Sequence, residues 1–135
     1  MKKLFLILVL VYLCIQVGIS QIYINTNTRM LEVYNDRTNN FNTVREKYND
    51  NGFFEINETL TLMTHITDSK ASFYKMKNWK YNDERNTYEF DALSDVGNDY
   101  LMSIDLIGKT VVAVFVKDKK TYIASFDIKS VFTKD

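Results

Sequence analysis

The chain carries one cysteine, one histidine, four glycines and no proline at all. The cysteine is Cys14, inside an apolar leader, so residues 21–135 have no thiol. That excludes a disulfide framework, a cysteine nucleophile and a thiolate metal site from this part of the chain. With His65 as the sole imidazole, a zinc centre built from several histidines is excluded as well. Net charge is also missing: 17 basic residues face 17 acidic ones. Without Lys2 and Lys3 the remainder is weakly acidic, with two more acidic than basic residues. Such a chain has no general electrostatic attraction to nucleic acid or to an anionic membrane.

The leader has the layout of a secretory signal peptide. Lys2 and Lys3 precede an unbroken apolar run from Leu4 to Ile15, and Gly18 and Ser20 stand at −3 and −1 of a cut before Gln21. The apolar run is shorter than the ~20 residues that a spanning helix needs. It resembles the signals of exported Gram-negative bacterial proteins, which implies a periplasmic or extracellular destination. A lipoprotein anchored through Cys14 is disfavoured, because Leu13 is not small and the apolar stretch continues through Ile15 and Val17. Residues 1–20 are therefore expected to be removed, leaving residues 21–135 as one β-rich domain. A chain of that length can bury a core without covalent staples.

β-favouring runs recur after Gln21, with turn signals every eight to twelve residues or so, the pattern of an all-β domain. Ile22–Ile24 and Arg29–Tyr34 read as two short strands. Phe41–Tyr48 is read as a strand, with one short helix as the alternative, and Asn49–Gly52 (NDNG) as a type I′ hairpin turn. From Thr59 to Thr67 the alternation sets Leu60, Leu62 and Ile66 on the buried face, leaving Thr61, Met63 and His65 outside. Ser72–Tyr81 keeps Tyr74, Met76, Trp79 and Tyr81 on one face only with a β-bulge near Lys77–Asn78. Later strands alternate cleanly, with Tyr88, Phe90 and Ala92, then Tyr100, Met102, Ile104 and Leu106, then Tyr122, Ala124, Phe126 and Ile128 inward. Strands joined in series by tight turns are antiparallel neighbours. The expectation is an antiparallel meander of about eight strands, closed as an up-and-down barrel or folded as a two-layer sandwich.

Little here carries chemistry. His65 on an outer strand face, beside Thr61 and Thr67, reads as a dispensable solvated residue, and no serine stands in a nucleophile-elbow context. Asp95, Asn98 and Asp99 offer oxygens in a turn but lack the alternating spacing of a calcium loop. Glu89, Asp91, Asp105 and Asp127 fall on outward positions and read as a solvated face rather than a glycosidase pair. Asn57-Glu58-Thr59 is a glycosylation sequon that matters only in a eukaryotic secretory pathway, and beside a signal of bacterial type it reads as accidental. No metal or cofactor is implied.

What remains is aromatic: nine Tyr, nine Phe and one Trp. Tyr74, Trp79, Tyr81 and Tyr88 gather on consecutive strands and are the candidate binding residues. Residues 21–135 carry no recognisable family motif. The expected function is non-catalytic binding of a small molecule or glycan on an aromatic-lined surface or cavity. A protein-interaction module (an inhibitor, immunity or envelope assembly factor) is the alternative, and a hydrolase with a carboxylate site the third reading.

Overall fold

The computed structural model describes residues 21–68 and 70–134; the expected signal peptide, with Cys14, lies outside the described residues. Eight strands follow one another: β1 (Gln21–Asn35), β2 (Asn40–Asn57), β3 (Leu62–Thr67), β4 (Ala71–Asn82), β5 (Thr87–Ser94), β6 (Asp99–Asp105), β7 (Thr110–Lys117) and β8 (Lys120–Lys134). Each pairs antiparallel with the next, and β8 returns to pair with β1 from Gln21↔Lys134 to Val33↔Tyr122. The meander is thus a closed barrel rather than a sandwich, and closure removes both sheet edges. No helix forms among the described residues, and none there is long and apolar enough to cross a membrane.

Two ends define the barrel. The β1–β2, β3–β4, β5–β6 and β7–β8 turns share one end, here the hairpin end. The start of β1, the end of β8 and the other three connections share the opposite, terminal end. The lumen is apolar. Its largest fully buried side chains are Phe90, Ile56, Met63 and Val111, joined by Ile22, Ile24, Ile104 and Ile128. Charge lies on the outer wall, as at Lys75, Lys77 and Lys80 of β4.

Where alternation is clean the strands form as expected: in β5, β6 and β8 the inward residues are those the period-two pattern selects. The bulge in β4 is also present. The β4–β5 register slips between Lys77 and Lys80, with Asn78 at φ 60°, and this brings Met76 and Trp79 onto the lumen side. The β7–β8 connection places both Asp118 and Lys119 at positive φ, as a two-residue type I′ loop requires.

Three expectations are corrected. Ile22–Ile24 and Arg29–Tyr34 are one strand, β1, interrupted by register shifts at Thr26/Thr28, Arg29/Leu31 and Leu31/Glu32. Asn49–Gly52 is no turn but part of β2. Thr26 pairs with Gly52 and Thr28 with Asn49, so one surplus residue of β2 is absorbed as a bulge against β1. Ladder pairing along the whole of β1 outweighs the local Asn-Gly preference. Outside this bulge Thr28 donates to Asp127 Oδ2 at 2.6 Å and Lys47 reaches the same oxygen at 2.8 Å, tying β1, β2 and β8 together. The third correction is the phase of β3. Asn57 Oδ1 accepts the backbone N–H groups of Thr61 and Leu62, and Leu60 sits at φ 57°, so the strand begins only at Leu62. Leu60 therefore belongs to a turn. Met63 and His65 point into the barrel, while Leu62 points out and is half exposed.

Candidate ligand-binding cavity at the hairpin end of the barrel

The fully buried side chains Ile56, Met63, Phe90 and Val111 lie toward the terminal end, and a hollow opens toward the hairpin end. A partly open cavity of about 90 Å³ is lined by Arg29 of β1, Phe54 of β2, His65 of β3, Tyr74 of β4, Tyr100 of β6 and Phe126 of β8, with Phe115 and small residues from β7 and β8. Small residues make the hollow: Ala113 and Ala124 are direct partners on β7 and β8, and both face inward. Larger side chains at that level would fill it.

Rings wall the cavity in two groups. In the first, Tyr74 meets Tyr100 edge-on at 5.5 Å, Tyr100 meets Phe115 at 5.4 Å, and Phe115 stacks on Tyr122 at 5.5 Å. In the second, His65 stacks on Phe54 at 4.1 Å with the planes 6° apart, and both meet Phe126 edge-on at 5.2–5.3 Å. The Arg29 guanidinium lies over the same Phe126 ring, 5.3 Å from its centroid, within the range of a cation–π contact. The two ion pairs formed among the described residues are Lys47–Asp127 and Lys80–Glu89, so Arg29 has no carboxylate partner there.

Electrostatics follow from this enclosure. Burial, reinforced by the nearby Arg29 charge, pulls His65 from 6.5 down to about 4, so at neutral pH it is an uncharged imidazole. Its Nε2 is buried with no hydrogen-bond partner. Burial raises the Tyr74 phenol, as does the neighbouring Tyr100, while a hydrogen bond with Ser72 and the charge of Arg29 pull it back. A fixed cation, a neutral imidazole and the side chains of Tyr74 and Tyr100 therefore share one apolar hollow. Such a set can offer hydrogen bonds to an electron-rich group.

The four aromatic residues singled out in the sequence do not share one place. Tyr74 lines the cavity. Trp79 packs in the lower lumen, stacked on Phe90 at 4.4 Å, with its indole N–H donating to the Leu60 carbonyl at 3.1 Å. Tyr81 and Tyr88 are cross-strand partners near the terminal end, with rings 5.3 Å apart, and the Tyr81 hydroxyl donates to Asn86 Oδ1. Glu89, expected to be solvated, is covered instead. It accepts from Asn82 at 3.1 Å and Thr87 at 3.4 Å, and lies 3.6 Å from the Lys80 ammonium. Simple alternation does not mark Arg29 and His65 as lumen residues. Arg29 faces inward with Leu31, and His65 with Met63, but a register shift beside Arg29 and the turn before Leu62 hide that phase in the sequence.

No protein-family model matches this chain, and no curated protein or solved structure matches it significantly.

Proposed function

We propose that the protein is a small, exported, non-catalytic binding protein that takes a small molecule into the hairpin end of its barrel. The observation that supports this best is the aromatic-walled hollow of about 90 Å³ in an apolar lumen. Protein interiors are close-packed, and an unfilled apolar space beside a polar cluster is a stability cost that ligand binding explains. Its size sets the ligand class. An apolar cavity of ~150 Å³ accepts benzene, so this one suits a compact organic molecule and not an oligosaccharide. Native mass spectrometry of protein taken from its own compartment tests the reading. A co-purifying small mass is expected, and loss of that mass on Ala124→Leu would place it in the hollow.

A protein partner is the second reading, favoured by the outer wall. Leu62, Phe73 and Leu93 are exposed and line one shallow groove across β3, β4 and β5. The same mass spectra distinguish the two, because a polypeptide that survives as a complex would be many kilodaltons heavier.

A further inference from the structure

We infer that the hollow binds a small organic monocarboxylate, with Arg29 as its counter-charge and its apolar part seated among Phe54, Phe115 and Phe126; this rests on the reading of the hollow as a ligand site. Three observations converge. First, Arg29 places a permanent cation at the wall of an apolar barrel, with no carboxylate partner among the described residues. A guanidinium at such a site gains most from a planar carboxylate, which it can hold with two parallel hydrogen bonds. Second, His65 Nε2 is buried and unpartnered, and a buried polar atom without a partner is uncommon enough to call for one. As its Nε2–H tautomer, His65 can donate to a ligand oxygen while remaining neutral. Third, the rest of the wall is rings, the Met102 thioether and two alanines. An inorganic anion would leave those surfaces without contacts, whereas a short alkyl chain covers them.

The roles divide by element. Arg29 from β1 supplies charge, and Tyr74 from β4 and Tyr100 from β6 bring phenol groups from the opposite wall. Ala113 and Ala124 supply the room. A neutral ligand of the same shape would fill the hollow but leave Arg29 without an anion. Discrimination should therefore follow charge at constant size.

Propionate and propionamide make that comparison, because they have the same number of non-hydrogen atoms and differ in charge. Two-dimensional NMR titration of the protein should show propionate saturating shifts at Arg29, His65, Tyr74 and Tyr100. Its affinity should be at least tenfold that of propionamide. Arg29→Met, which keeps the apolar stem, should abolish that difference, and Arg29→Lys should retain part of it. Equal affinity for acid and amide would overturn the carboxylate assignment and leave the cavity reading standing. Tighter binding of inorganic phosphate than of propionate would overturn the organic part of the assignment. A co-purifying mass in native spectra together with no response to propionate would also overturn this inference alone. No co-purifying mass and no binding of either probe would remove both readings. The wild-type comparison needs no variant, so a misfolded Arg29→Met leaves the inference testable.

Discussion

His65 is the side chain whose surroundings matter most for the behaviour of the free protein. It is stacked against Phe54 and faces Arg29, and both burial and that charge oppose its protonation. In the unfolded chain it takes up a proton below about pH 6.5; in the barrel it resists until about pH 4. Across that window the unfolded state binds more protons, so stability rises with pH, is fully present above 6.5 and falls away toward 4. Each tenfold change in proton affinity is worth about 1.36 kcal/mol, which makes the full effect roughly 3 kcal/mol. His65→Phe keeps a ring on Phe54 and removes the titration. Urea denaturation at pH 7 and pH 4.5 should show a smaller acid loss in the variant than in the wild type. Equal losses would mean that His65 does not feel the lumen.

Trp79 is the other residue with a clear individual role. Its ring stacks on Phe90 and its N–H is satisfied by the Leu60 carbonyl, so it belongs to the lower core. Its emission should be blue-shifted and poorly quenched by iodide. Trp79→Ala should destabilise the barrel by about 3 kcal/mol, through lost burial, a cavity and an orphaned carbonyl. If the variant instead lost propionate or any native ligand with its stability intact, Trp79 would belong to a binding surface.

At the scale of elements, glycine and bulges decide where period two fails. Gly52 is needed for close approach and not for a turn. A Cβ there would stand 2.7 Å from the backbone carbonyl oxygen of Ile66 on β3. Gly52→Ala should therefore part β2 from β3 and cost about 1–3 kcal/mol in a denaturation midpoint. The β7–β8 loop offers the opposite test. Lys119 occupies φ 63°, a region costly for a side chain with a Cβ. Lys119→Gly should leave stability unchanged or raise it by about 0.5–1 kcal/mol, the relief of strain being partly offset by greater freedom in the unfolded chain. A loss of stability would show that the Lys119 side chain contributes to the loop.

These same elements explain what is legible in the chain itself. In β5, in β6 and in the Tyr122–Ile128 part of β8 the inward residues alternate, so alternation alone names Phe90, Met102 and Phe126 as interior. The β4 bulge is legible because four large residues demand one face. In β1 and β2 the register slips repeatedly, and a slip of one residue exchanges inside for outside. Asn-Gly there resembles a turn because its local preference is real, but it is overruled by pairing partners distant in sequence. In β3 the short polar lead-in hides where the strand begins, and Leu60 and Leu62 draw the buried face to the wrong side. Tyr74 is legible as a candidate. Arg29 and His65 are not, because each lies in a segment whose phase is set by a bulge or a turn.

At the scale of the whole molecule, the barrel divides its labour between its two ends. Ile56, Met63, Phe90 and Val111 fill the terminal half and supply cohesion without any disulfide. At the other end Ala113 and Ala124 leave space, and the unpaired Arg29 sits beside it among the described residues. Closure by β1 and β8 makes this division possible, since an open sheet would have to protect its edges as well. The most direct test is a crystal structure of protein isolated from its own compartment, without refolding. Our account predicts non-protein density in the hollow beside Arg29, between the Tyr100 and Phe126 rings. A barrel in which Tyr74, Phe115 and Tyr122 close over that space, leaving nothing bound and no room, would contradict it.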